Sequence, residues 1–153
     1  MECTIRPARE DDADGISEVI VRALRETNAK DYTDAIIERI ERSFGPDSVR
    51  QLIGQRTVFV AAVGSRIVGT AGLDGSVVRT VFVAPDAQAR GIGKRLMAEV
   101  ERVARERNIP ALTLSSSVTA EIFYARLGFR VVRDSYHGDE RTIVMERELD
   151  DTP

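Results

Sequence analysis

The 153-residue sequence predicts an α+β fold in a single domain, with a mixed, mostly antiparallel central sheet flanked by helices. Three observations carry this prediction. Residues 11–54 place apolar side chains at helical spacing, residues 56–83 switch to β-branched runs broken by turn signals, and residues 91–149 alternate helix with strand. The length suits one domain with a real core, expected to span 1–150 and to leave 151–153 as a frayed tail.

Taken in order, "TIRPA" is a short strand ended by Pro7. Asp11 or Asp12 is expected to cap a helix whose stripe is Ile16, Val19, Ile20, Ala23 and Leu24. A second helix runs from Thr33 to Phe44, with Ile36, Ile37, Ile40 and Phe44 inward, and stops at Gly45-Pro46. A third, capped by Asp47, runs through Ile53 and ends at Gly54. "RTVFVAAV" and "RIVGTAGL" are strands joined by a hairpin at "GSR", and "SVVRTVFV" comes after Asp74-Gly75, so the three form an antiparallel meander. From Gly91 the chain is helical again, with Ile92, Leu96, Val100, Val103 and Ala104 on one face and Lys94, Arg95, Glu99, Glu101 and Arg105 in water. After Asn108-Ile109-Pro110, "ALTLS" is a buried strand and "SVTAEIFYARLG" a helix closed by Gly128. "FRVVR" and "RTIVMEREL" are the last strands. Strand, helix, strand around Gly91 implies a parallel pair with a right-handed crossover.

An apolar fraction of 42% and a charged fraction of 31% describe a soluble globular protein, and runs such as "VFVAAV" are too short to span a membrane. The first ten residues lack the apolar core and cleavage site of a signal peptide. The one cysteine, Cys3, is read as an edge residue of the first strand; it cannot form an internal disulfide, and a cytoplasmic setting is expected. With one histidine and one cysteine, a Cys/His zinc site is excluded, and no metal is expected. A net charge of −3 offers no global attraction to nucleic acid or an anionic membrane, so neither is expected as a partner. Arg90, Lys94 and Arg95 form a local basic patch.

That patch flanks "QARGIG", Gln88 to Gly93, at a helix start. A triphosphate loop of the form G-x-x-x-x-G-K-[ST] fails, because its first glycine position holds Gln88 and Arg95 stands where Ser or Thr belongs. A dinucleotide fingerprint starting at Gly91 and Gly93 would put its third glycine on Leu96. What remains is Q-x-x-G-x-G before a long amphipathic helix. Its glycines let the backbone approach an anion, and the free N–H groups of the first turn point at it. An ordinary strand-to-helix turn would use the same glycines.

"VFVAPDAQARGIGKRLMAEVERVA" resembles the acyl-CoA-binding motif of the GNAT superfamily of N-acetyltransferases, with Val83-Ala84-Pro85 followed by Gln88, Gly91 and Gly93. "SSSVTAEIFYARLGFRVV" is similar to the second motif of that family, a strand, a helix bearing F-Y, and G-F leading to the next strand. The resemblance extends over roughly Thr4 to Leu149. It implies the GNAT fold with a splayed parallel strand pair, acetyl-CoA as cosubstrate, and a pyrophosphate gripped by Gln88, Ala89, Arg90, Gly91, Ile92, Gly93 and Lys94. It also implies that the main chain of Val81, Phe82 and Val83 pairs with the pantetheine arm, with the thioester in the gap between "TVFV" and "LTLS". Ser117 stands where many members place an asparagine that contacts pantetheine.

Acetyl transfer from a thioester to an amine needs a neutral amine, an oxyanion donor and a proton for the leaving thiolate. By the resemblance, Tyr124 supplies that proton, its phenol being neutral at ordinary pH, while Phe123 belongs to the core. The oxyanion donor is expected at the N–H of Val83 or a neighbour. For the general base, "SVVRTVFV" holds no acid; Asp74, His137 or a water chain are the alternatives. The acceptor pocket is expected at "RETNAKDYTDA", where Glu26, Asp31, Tyr32 and Asp34 lie, and at the last hairpin with His137. The function expected is direct acetylation of a primary amine on a small molecule or peptide, by a monomer or homodimer. The alternative is a coenzyme A-binding module without turnover.

Overall fold

The computed structural model describes residues 2–27, 32–88, 90–138 and 140–149. Its strands are β1 (Cys3–Pro7), β2 (Thr57–Val63), β3 (Arg66–Asp74), β4 (Val77–Val83), β5 (Ala111–Ser116), β6 (Arg130–His137) and β7 (Glu140–Glu148). Its helices are α1 (Ala13–Glu26), α2 (Asp34–Arg42), α3 (Pro46–Gln55), α4 (Ile92–Glu106) and α5 (Glu121–Arg126). The seven strands form one sheet in the order β1-β2-β3-β4-β5-β7-β6. Neighbours run antiparallel except β4 and β5, the parallel pair that α4 connects. This is the mixed α+β architecture that the alternation of periods predicts.

The sheet has two covered faces because β2 alternates. Phe59 and Ala61 point into the cluster under α4, with Leu73, Leu96, Val100, Leu112, Leu114 and Met145. Val60 and Ala62 point to the opposite side, where Ile16, Ile20, Leu24, Ile37 and Val49 come from α1, α2 and α3. The predicted stripes of α1 and α4 are all buried, and Met97 joins that of α4. No helix among the described residues is long and apolar enough to cross a membrane. Cys3 is half-buried on β1, opposite Val63 at one edge of the sheet.

Several local expectations are corrected. Asp12 precedes α1 but does not cap it: its carboxylate accepts the Arg6 guanidinium at 2.8 and 2.9 Å and the Arg9 N–H at 2.8 Å. Asp12 thus closes the 3₁₀ turn Glu10–Asp12, and a two-pronged charged donor outcompetes the helix amides. Asp47 lies in the first turn of α3 behind Gly45 and Pro46 and pairs with Arg50, so it is no cap either. Gly54 lies inside α3, which runs one residue further. Thr33 does cap α2, its Oγ1 accepting the Ile36 N–H at 3.2 Å. The helix expected from Ser117 is shorter, since residues 117–120 form a turn before α5. The strand β6 extends to His137, which therefore ends a strand instead of lying in a loop.

Candidate active site

The parallel pair is barely a pair. Among the described residues β4 and β5 share a single register match, Val77 with Thr113, tied by the Thr113 N–H to Ser76 O at 3.1 Å. Beyond it the strands part. Two irregularities make the split. In the β3–β4 register Gly72 faces Arg79 and Thr70 faces Phe82, so two residues of β4, Thr80 and Val81, stand opposite Ala71 alone. Thr80 takes φ +57, a left-handed conformation costly for a β-branched residue. Such a bulge bends the strand and re-aims the residues after it.

Past the bulge, the Ala84 N–H donates to Val68 O at 2.8 Å, so that residue faces β3. By alternation, Val81 and Val83 turn their main-chain groups away from β3, toward the side that β5 has left. Gln88 reaches Val83 O from that side, its Nε2 donating at 3.3 Å and also meeting Thr27 Oγ1 at 3.1 Å. The side chain of Phe82 packs on the α1–α3 cluster, while Val81 and Val83 pack on the α4 cluster. Beyond Val77, one edge of β4 is thus lined by main-chain donors and acceptors with no strand opposite among the described residues.

At the end of that edge α4 begins. The short turn Pro85–Ala87 is held by Asp86, which accepts Arg66 at 2.8 and 2.9 Å; that guanidinium holds the Asp86 carboxyl below its usual range. Gly91 is the helix N-cap at φ +72, which favours glycine, and the Arg95 N–H closes the first turn on Gly91 O at 3.0 Å. The N–H groups of Ile92, Gly93 and Lys94 therefore precede the first intrahelical bond, and no acidic residue stands in the first turn. Arg90 and Lys94 are exposed beside them. Arg95 departs from the expected patch: its guanidinium donates to Cys3 O at 2.8 Å, on the edge strand. Ala89 and Asp31 lie outside the described residues.

Gly93 serves a purpose different from Gly91. A Cβ there would come within 3.1 Å of Phe123 Cζ and 3.3 Å of Phe123 Cε1. The ring of Phe123 thus presses α5 against the start of α4. It is half-buried, and Tyr124 is the more enclosed of the two, at 7% exposure. Tyr124 meets Phe123 edge-on at 5.0 Å and Phe129 at 5.9 Å between ring centroids. Burial pushes its phenol well above the usual tyrosine range, so it is neutral. Ser117, just beyond β5, spends its hydroxyl locally, Oγ accepting the Ala120 N–H at 3.2 Å.

The structure does not bring every candidate to this gap. Asp74 is exposed at the β3–β4 turn, where Arg79 Nε donates to it at 3.3 Å. Its register partner Val77 lies four residues before Val81, about 13 Å along the strand. His137 is exposed in register with Glu140. Arg39 of α2 pairs with that Glu140, so α2 and the last hairpin do meet. Tyr32 is half-buried against the α1–α3 cluster, Glu26 is exposed at the end of α1, and Asp34 is exposed at the start of α2. Two features have no signal in the sequence: the bulge at Thr80, hidden in an unbroken β-branched run, and Arg56, which Thr80 contacts.

Known proteins share this fold. Residues 28–148 match the acetyltransferase (GNAT) domain family. An IAA acetyltransferase of Azospirillum brasilense is 30% identical over 152 residues, covering 84% of this chain and 98% of that protein. Among solved structures, a GCN5-related N-acetyltransferase from Rhodopseudomonas palustris superposes with a TM-score of 0.89 at 21% identity, over 97% of this chain and 96% of that one. The PaiA N-acetyltransferase of Thermoplasma acidophilum, solved with coenzyme A, gives 0.84 at 21% identity, over 97% and 99%.

Proposed function

Since the chain belongs to the GNAT acetyltransferase family, we propose that it binds acetyl-CoA along the free edge of β4 and transfers the acetyl group directly to a primary amine of a small molecule or peptide. The observation that carries this reading is the continuity of that edge, from the main chain of Val81 and Val83, which β5 does not cover, to the open N-terminus of α4. A pantetheine arm is an extended amide chain, and it can pair there as an added strand. The amides of Ile92, Gly93 and Lys94, with Arg90 and Lys94 beside them, take the pyrophosphate. Gln88 belongs to the same loop. Ser117 borders the arm on the β5 side, with its hydroxyl committed to its own turn.

The thioester then lies near the bulge. The amine nitrogen attacks the carbonyl carbon, a C–N bond forms, and the C–S bond breaks. The N–H of Val83 or Val81, both turned into the gap, faces the developing oxyanion; one such donor typically contributes about 3 kcal/mol. Tyr124, neutral because buried, gives its proton to the departing thiolate and regains one from solvent. The surplus proton of the amine leaves through water in the gap, because Asp74 stands at the far end of β4. His137 and Tyr32 border the acceptor's approach from the last hairpin and the α1–α2 connection.

Calorimetric titration with coenzyme A followed by a transfer assay over a broad amine panel tests this reading. Tyr124→Phe is expected to lower kcat by on the order of 10²–10⁴ while coenzyme A affinity stays constant. Binding without turnover on any amine would leave a coenzyme A-binding module, and no binding at all would overturn the site.

A further inference from the structure

Gln88 stands where the glycine loop, the free edge of β4 and the end of α1 come together. Its side chain is exposed, and its Nε2 donates twice, to Val83 O at 3.3 Å and to Thr27 Oγ1 at 3.1 Å. Neither partner belongs to the first turn of α4, so the carboxamide is not engaged at the anion site. Val83 O is the more informative of the two. Val83 faces Gly69 in the register, and the next residue, Ala84, donates its N–H to Val68 O. By alternation the main chain of Val83 points away from β3 and into the gap. Its carbonyl is one of the acceptors that an added strand needs, and an amide N–H already fills it.

The backbone on both sides of this contact is held by other bonds. Asp86, two residues before Gln88, accepts Arg66 of β3 at 2.8 and 2.9 Å, and Arg22 of α1 stands 3.6 Å from the same carboxylate. Thr27 ends α1, its N–H donating to Ala23 O at 2.9 Å. The bridge can therefore open by a swing of the Gln88 side chain alone, into the water that already surrounds it. A primary carboxamide and the secondary amides of pantetheine offer the same N–H donor, so Val83 O can exchange one for the other.

We propose that Gln88 is a latch that pantetheine displaces: in the empty protein its carboxamide holds Val83 O in the place of the arm's amide, and Thr27 steadies the carboxamide there. This deepens the proposed acetyl-CoA site and rests on it. The latch opposes binding of the arm and leaves the nucleotide end of the donor unaffected, because that end lies at the start of α4. It also gives Thr27, on α1, a hold over donor affinity that acts only through Gln88. Both are positioning residues, and the free protein is partly withdrawn from the binding-competent state for as long as the bridge is closed.

The experiment compares coenzyme A with 3′-phospho-ADP, which is coenzyme A without the arm, by calorimetry on the wild type, Gln88→Met and Thr27→Val. Methionine keeps the length of glutamine and has no N–H to donate; valine keeps the shape of threonine and has no oxygen to accept. Both variants are expected to bind coenzyme A roughly 2- to 10-fold more tightly, the worth of one net hydrogen bond, and to bind 3′-phospho-ADP as the wild type does. The double variant should gain no more than Gln88→Met alone, because the two residues act through one bridge. Weaker binding of coenzyme A by Gln88→Met would overturn the latch and make the carboxamide a direct contact of the donor. Equal shifts for the two ligands would overturn it too, and so would the absence of any gain in Thr27→Val. A wild type that binds coenzyme A, with variants that do not differ from it, removes the latch and leaves the acetyl-CoA site standing. A wild type that binds neither ligand removes the site, and the latch with it.

Discussion

The two sides of the gap are built from different materials. On the α4 side the groups that face outward are main-chain amides and carbonyls: the free edge of β4 and the first turn of α4, arranged around Gly91 at φ +72. On the α1–α3 side they are side chains, the half-buried Arg56 and Thr80, which meet at the end of α3. Backbone presents the same groups whatever the sequence, so a surface made of it recognises a constant partner. Side chains can change without disturbing the fold, so the surface made of them is where specificity can vary. The α4 side should therefore respond to substitutions that alter backbone shape, and the α1–α3 side to deletions of single functional groups.

Gly91→Val puts the first half of that comparison under the largest strain. Nothing lies within 4 Å of a Cβ at Gly91, so a clash inside the protein is not the cause of any loss. The cause would be φ +72, which a β-branched residue adopts at a cost on the order of 1–3 kcal/mol. Relaxing that strain misaims the amides of Ile92 and Gly93, and coenzyme A affinity is expected to fall roughly 10- to 100-fold by calorimetry. An unchanged affinity would break the claim that this side works through backbone geometry.

Gly93→Ala sharpens the comparison, because here the fault is steric. The added methyl would meet Phe123 at 3.1 Å, and overpacking of this kind costs about 1–3 kcal/mol. The double variant Gly93→Ala with Phe123→Leu should recover most of the lost Tm, since the smaller side chain yields the space. If the second substitution fails to recover it, α5 is not what restrains the start of α4.

The same division separates the features legible in the sequence from those that are not. The glycine loop could be read because a helix start that must approach an anion restricts residue types at fixed spacing, as Gln88, Gly91 and Gly93 show. The sheet could be read because β2, β3 and β4 are β-branched runs broken at Gly64 and Gly75. The bulge at Thr80 could not, since threonine and valine read as straight strand whatever their φ. Arg56 opens the run "RTVFVAAV"; that it meets no carboxylate among the described residues is a property of everything packed around it and is written in no local pattern. Asp12 and Asp47 misled for a related reason: the carboxylate that caps a helix also pairs with an arginine, and tertiary neighbours decide between the two.

The smallest effect expected is a response to acid on the α1–α3 face. On the α4 face Glu101 pairs with Arg147 of β7 beside the apolar contacts, and on the other face β1 is tied to the start of α1 through Arg6 and Asp12. The hydrogen-bonded Arg6 guanidinium, aided by the Arg9 N–H and opposed by burial, holds the Asp12 carboxyl below its ordinary range. A depressed folded-state pKa contributes stability above the unfolded value, near 4, and that contribution is lost as pH falls through the folded value. Between about pH 5 and pH 2 the wild type should therefore lose stability on the order of 1 kcal/mol from this pair, a Tm decrease of roughly 3 °C. Asp12→Asn should start lower at neutral pH and fall less steeply over the same range. Parallel Tm curves for the two proteins would remove Arg6–Asp12 as a source of acid sensitivity and would leave the α1–α3 face held by its apolar core.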